Sequence, residues 1–229
     1  MALGYISVVP NVRACPDCPA THAHVFEELL PHPQHPCAFR VATVGERETI
    51  PHAWFGAYAL GLVRRGIVIR QRVDGTGSAT AVDVVGPGGA LLLDGNEESV
   101  SGYAAAEAMV CLCPSLSLEQ SSCSSMGTTR DMLRLHTVAL ERMDRLANAR
   151  NQPTARARVA ALLTALADVL SPPRKLEVIP QHLLRRDLAA LLALRHESVS
   201  RALAQLERSG AIRRTRDGVA LLSPQALEA

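Results

Sequence analysis

The sequence predicts an α+β chain, with an antiparallel β-barrel in its N-terminal half, one long helix, and a compact helix–helix–hairpin unit at its C-terminal end. Three observations carry this. Val-, Ile- and Leu-rich runs with alternating polar positions fill residues 40–114, punctuated by glycine turns. No glycine or proline interrupts residues 131–151, where apolar residues recur at helical spacing. After Pro180, two short helical runs are followed by a glycine stop and a hairpin signal.

Size and charge narrow the class. The 229 residues exceed what one small core needs, so two packed units are expected. With 48% of residues apolar, the chain is globular rather than disordered. No apolar run approaches the ~20 residues that span a bilayer. Residues 1–10 lack the basic flank and hydrophobic stretch of a secretory signal. The expectation is a cytoplasmic protein with no membrane partner. In that compartment the six cysteines point to metal or redox chemistry, or to burial, rather than to structural disulfides. The net charge of +2 hides an asymmetry: residues 1–126 carry seven arginines and no lysine against twelve acids, and residues 127–229 carry seventeen Lys and Arg against ten. A basic C-terminal half suits a polyanion.

Residues 1–126 are assigned to a cysteine-containing N-terminal segment and a small barrel or sandwich, read as a cupin-like antiparallel β-barrel. Its clearest strands are residues 66–73 and 81–85, with Asp74-Gly75 and residues 86–89 as turns. Trp54 and Phe55 are expected in its core, and His32, His35 and His52, close to prolines, in loops. Residues 127–151 form the long helix. Leu133, His136, Leu140, Met143 and Ala147 step by alternating threes and fours, the seam of a coiled coil with one polar member. That seam is read as a dimer interface; the bland alternative is a helix packed on its own domain. Asn151-Gln152-Pro153 ends the helix, and another follows at residues 154–170.

Within residues 152–229, Arg186–Leu194 reads as a short helix, Arg195 as a tight turn and His196–Arg208 as a second helix stopped by Ser209-Gly210. Asp217-Gly218 then sits between strand-like flanks. Helix, turn, helix and hairpin make a winged helix-turn-helix, a fold that docks in the DNA major groove. Val199, Leu203 and Leu206 fall on one face of the second helix, facing Leu188, Leu191 and Leu192. Glu197, Ser200, Arg201 and Ala204 fall on the other. Glu accepts from a cytosine amino group and Arg bonds guanine bidentately. Residues 184–216 carry eight arginines against three acids, as a phosphate-facing surface needs. Arg186, Arg195, His196, Glu197, Ser198, Ser200 and Arg201 are therefore the candidate contacts to double-stranded DNA.

The segment Arg186-Asp187-Leu188-Ala189, with Leu194, Glu197-Ser198-Val199-Ser200-Arg201 and Leu206-Glu207-Arg208-Ser209-Gly210, resembles the helix-turn-helix of the CRP/FNR superfamily. The order of barrel sensor, dimerisation helix and winged helix extends the resemblance over nearly the whole chain. Glu-x-x-Ser-Arg at Glu197, Ser200 and Arg201, and Ala108-Met109-Val110-Cys111, resemble the FNR branch. The resemblance implies a homodimer on a palindrome with TTGAT-like half-sites, activation of transcription, and RNA polymerase as a partner. It implies that Glu197 and Arg201 read C·G pairs and Ser200 a thymine. Two positions depart from the pattern. Arg195 stands where the family has a Ser or Thr cap, whose loss costs roughly 1 kcal/mol. Gly95-Asn96 and Ala104-Ala105-Ala106 stand where cyclic-nucleotide binders have Gly-Glu and Arg-Ala-Ser/Thr, so no cyclic nucleotide is expected.

Cys15-Pro16-Asp17-Cys18 can hold two corners of an iron–sulfur cluster or zinc site, or form a redox disulfide. The resemblance implies a [4Fe–4S] cluster that responds to oxygen or redox state, with Cys15, Cys18 and Cys111 matching the family's ligands. The third N-terminal cysteine is missing: residues 19–26 offer His22 and His24, and Cys37 is the remaining thiol of the segment. The expected set is Cys15, Cys18, Cys37 and Cys111. Zinc on Cys15, Cys18 and His22 or His24, a thiol–disulfide switch, bystander cysteines, and a small organic ligand in the barrel stay open. Cys113 and Cys123 are read as core or surface thiols, with Cys113 as a substitute for Cys111. A cupin-like metalloenzyme fused to a DNA-binding tail is the remaining reading. It is disfavoured because residues 66–85 contain no His.

Overall fold

The computed structural model describes residues 6–7, 37–93, 100–170, 178–180, 183, 185–222 and 227; for residues 6–7 and 121–124 it describes the backbone only. The antiparallel half begins with β1 (Ile6–Ser7), β2 (Arg40–Val44) and β3 (Tyr58–Val73) and continues with β4 (Ala79–Val85), β5 (Ala90–Leu92) and β6 (Val100–Pro114). The strands pair in the order β1-β2-β6-β3-β4, with β5 on β3, and among the described residues this path is open rather than closed. Period-two alternation fixes which side chains share a face. Trp54, Val63, Leu91, Val110 and Leu112 form one apolar cluster. Leu60, Leu62, Cys111 and Cys113 form a second.

At 16 and 15 residues, β3 and β6 are longer than the short runs in the sequence suggest. Gly66 makes this possible. Its φ is +85°, and a Cβ there would lie 2.2 Å from the Glu107 carbonyl oxygen on β6. Only glycine lets the strand pass so close.

Helix α1 (Ser115–Ser124) follows β6, then α2 (Met126–Arg150) and α3 (Ala155–Leu170). The Thr154 hydroxyl accepts from the Ala157 N–H at 3.1 Å and so caps α3. Next come β7 (Val178–Pro180), α4 (Arg185–Leu192), α5 (His196–Arg208), β8 (Ile212–Arg214) and β9 (Gly218–Leu221). The hairpin β8–β9 is the one Asp217-Gly218 signals; β7 adds a third strand to it, in the order β7-β9-β8.

Contacts divide the chain into two units. One comprises residues 1–68 and 85–140, the other residues 69–84 and 141–229. The division cuts through α2 and through the β3–β4 hairpin, so the outer part of that hairpin belongs with the helix-turn-helix.

Candidate nucleic-acid interface

Helix α5 begins where Arg195 is extended, at φ −76° and ψ 149°, and no side chain caps it. Val199, Ala202, Leu203 and Leu206 are buried on its inner face. Glu197 and Arg201 are exposed on the opposite face, and Ser200 and Ala204 are half-buried beside them. The Arg201 Nε donates to the Glu197 carbonyl at 3.4 Å, which lays the guanidinium back along its own helix. His196, Arg195, Arg185, Arg186, Arg213 and Arg216 are all exposed, and Ser198 is half-buried. Asp187, in contrast, is buried in the first turn of α4, where a carboxylate suits the positive end of the helix dipole.

Arg214, also exposed, is committed to Glu207. Its Nε donates to Glu207 Oε2 at 2.7 Å and its backbone N–H to Oε1 at 3.2 Å. These bonds hold the Glu207 carboxyl below its ordinary range, the side-chain bond contributing most. The tie joins α5 to the hairpin that follows it. Sequence reasoning missed it because the two residues lie on either side of the Ser209-Gly210 stop.

The long helix has two distinct faces. Leu135, Ala139, Leu146 and Ala149 are buried. Leu133 and Leu140 are 66% and 64% exposed; Ala147 is exposed, and His136 and Met143 are half-buried. The seam read from the sequence is thus distinct from the face the helix buries. The His136 Nδ1 lies 2.9 Å from the Met132 carbonyl, bonded to its own helix.

At the other end of the chemistry, Cys111 and Cys113 lie on one face of β6, 7% and 0% exposed, with Leu118 of α1 and Leu135 of α2 in the same cluster. Val41 pairs with Cys111, so the register brings Phe39 toward Cys113 and the half-buried Cys37 to the same end of the sheet. Burial, with Cys37 nearby, pushes the Cys113 thiol up to about 12. Strand β1 pairs Ser7 with Val41, so β1 points toward this end as well. Cys15, Cys18, His22, His24, His32 and His35 lie outside the described residues, as do Gly95 and Asn96. Among the described residues no group of three or more His, Cys, Asp or Glu is arranged to hold a metal. Ala104 and Ala105 are buried in β6. Trp54 is buried and Phe55 packs against the same core; His52 lies in a short 3-10 turn with Trp54.

Residues 157–229 match the family model described as a Crp-like helix-turn-helix domain. No curated protein sequence matches the chain. Solved structures share its fold. FixK2 from Bradyrhizobium japonicum superposes with a TM-score of 0.70 at 22% identity, over 82% of this chain and 95% of that one. A CRP-family transcriptional regulator from Thermus thermophilus gives 0.60 at 24% identity, over 81% and 94%. A CRP/FNR-family regulator from the same organism gives 0.51 at 20% identity, over 82% and 96%. No helix among the described residues is long and apolar enough to cross a membrane.

Proposed function

Because the chain ends in a Crp-like helix-turn-helix domain and shares the fold of CRP/FNR-type regulators, we propose that it regulates transcription, binding double-stranded DNA as a homodimer. The observation that carries this reading is the outward face of α5, with Glu197 and Arg201 exposed and Ser200 and Ala204 half-buried beside them, on a helix whose opposite face is buried. Small residues let the helix sit deep in the major groove while Glu197 and Arg201 read C·G pairs. Arg186, Arg195, His196 and Ser198 border this face and supply phosphate contacts. The accessible seam of Leu133, His136, Leu140, Met143 and Ala147 pairs two chains, so the site is a palindrome, and the resemblance to the CRP/FNR superfamily implies TTGAT-like half-sites.

Fluorescence anisotropy with such a duplex tests this. Arg201→Ala should weaken binding about 5- to 150-fold and relax preference at one base pair per half-site. Equal affinity for a scrambled duplex would overturn the sequence-reading role. Regulation is by activation, with RNA polymerase as the partner, and in vitro transcription from a promoter bearing the palindrome measures it.

The control input proposed is a redox- or oxygen-sensitive [4Fe–4S] cluster held by Cys15, Cys18, Cys37 and Cys111. When bound, such a cluster supplies iron–thiolate centres that oxygen can oxidise. Two features of the chain favour this donor set. Cys37 is half-buried and Cys111 is 7% exposed, whereas Cys113 is 0% exposed. Strand β1, which precedes the Cys15–Cys18 segment, also points toward that end of the sheet. Cys111 shares its apolar cluster with Leu135 of α2, so whatever binds there bears on the helix that pairs the chains. Protein purified without oxygen should carry about four iron and four sulfide per chain and a visible absorption that bleaches in air. Colourless, iron-free protein would instead favour control by thiol oxidation, for which the nearness of Cys37 to Cys113 is the supporting observation.

A further inference from the structure

The outer part of the β3–β4 hairpin, residues 69–84, packs with the C-terminal unit, although β3 and β4 continue into the other one. Two arginines of α2 bond β4 within this stretch. Arg142 donates Nε to Asp83 Oδ1 at 3.1 Å and Nη2 to Oδ2 at 2.9 Å. The fork closes on a side chain 1% exposed, and the Arg142 side chain itself is 9% exposed. A pair this desolvated is held by geometry, since either partner alone would be a buried charge.

Two turns further on, Arg150 ends α2. Its Nη2 donates to the Ala81 carbonyl of β4, and its Nε donates to the Leu191 carbonyl of α4 at 2.6 Å. Leu191 lies in the last turn of α4, where carbonyls lack intrahelical partners and a cation meets the negative end of the dipole. One guanidinium thus grips the strand and the first helix of the helix-turn-helix together. Ala81 and Asp83 are both buried and stand two apart on β4, so the two arginines hold one short stretch of that strand.

We propose that Asp83, Arg142 and Arg150 form a strut that fixes α4, and with it α5, to β4. Displacement of the β3–β4 hairpin is passed to the helix-turn-helix through the strand as well as along α2. Arg142 and Arg150 are positioning residues: they touch no DNA. The proposal rests on the reading of α5 as the DNA-reading helix.

Hydrogen exchange and DNA binding of the full-length protein test it together. Arg150→Gln should speed amide exchange in residues 185–192 about tenfold and weaken binding to the palindrome by a similar factor. Residues 40–44 and 108–112 should keep their wild-type exchange. The reversed pair, Asp83→Arg with Arg142→Asp, should recover much of the protection that Asp83→Asn loses. Faster exchange confined to residues next to the substitution, with DNA affinity unchanged, would overturn the strut. So would faster exchange of equal size in every peptide, which marks a purely structural role. If Asp83→Asn fails to fold, Arg150→Gln and the reversed pair still decide. If the wild-type protein binds no duplex, the DNA reading falls, and the exchange in residues 185–192 still decides whether Arg150 holds α4.

Discussion

The two helices of the helix-turn-helix end in the same hydrogen-bond pattern but are secured in opposite surroundings. At the end of α4 the Leu194 N–H donates to the Ala189 carbonyl at 2.9 Å and the Ala193 N–H to Ala190 at 3.4 Å. At the end of α5 the Ala211 N–H donates to Leu206 and the Gly210 N–H to Glu207, both at 3.0 Å. Each is a Schellman turn, with one residue in the left-handed region. The end of α4 is clamped from within by Arg150, next to the sealed Asp83–Arg142 pair. The end of α5 is tied on the outside, where the Arg214 and Glu207 side chains are 41% and 32% exposed. Identical chemical groups therefore make a rigid frame under α4 and a soft tether between α5 and its hairpin. A helix that must settle into a groove gains from that division: its scaffold is fixed while its flank can adjust.

The largest effect should come from breaking the frame. Asp83→Ala leaves the Arg142 guanidinium buried without its carboxylate, which should cost about 3–5 kcal/mol of stability. Urea unfolding followed by far-UV circular dichroism measures it. Replacing both partners with leucine should recover most of that loss, because a well-packed apolar pair avoids the desolvation of two charges. A double variant no better than the single one would mean that the cost arises from packing around Asp83 rather than from the stranded charge.

A smaller effect sharpens the contrast between the two helix ends. Ala193 holds φ +51° and Gly210 φ +73°. An L-residue with a Cβ pays roughly 1–2 kcal/mol there, partly offset by the greater unfolded freedom of glycine. Ala193→Gly should therefore stabilise the protein by about 0.5–1 kcal/mol, and Gly210→Ala should destabilise it by a similar amount. Thermal unfolding of the two variants should shift in opposite directions. Gly210 has nothing within 4 Å of a built Cβ, so any cost there is backbone conformation rather than collision.

These features also mark where the sequence could be read and where it could not. Helix α5 runs from His196 to Arg208, the bounds its apolar stripe and the Ser209-Gly210 stop imply. Arg195 is the uncapped turn residue the sequence suggests. The α4–α5 turn is less legible, because Ala193 occupies a position where glycine would have announced the helix end. Helix α1 carries no apolar stripe in Ser-Leu-Ser-Leu-Glu-Gln-Ser-Ser-Cys-Ser, so nothing local sets it apart from the strand before it. β7 is three residues long and exists through pairing with β9. Asp83 and Arg142 lie 59 positions apart, Ala81 and Arg150 69. No periodicity links such partners; the fold does. The thiols divide the same way. Cys37 and Cys111 are visible as residue types, but the nearness of Cys37 to Cys113 follows from the β2–β6 register.

The soft tether gives the smallest expected effect and the one most open to solution conditions. A surface pair gains little because water screens it and ordering two long side chains costs entropy. Glu207→Gln should thus leave stability at neutral pH almost unchanged, and the difference should shrink further in high salt. The pH dependence has a definite sign. Bonding to Arg214 lowers the Glu207 carboxyl in the folded state, so its contribution is present above the unfolded value. It fades as pH falls through the lowered folded value. Acid unfolding of the wild type should therefore steepen below the ordinary carboxylate range, and Glu207→Gln should remove that part of the slope. Equal slopes in both proteins would mean that the hairpin is held by β8 and β9 alone. The contrast between a buried frame and an exposed tether would then rest on Asp83, Arg142 and Arg150 without a counterpart at α5.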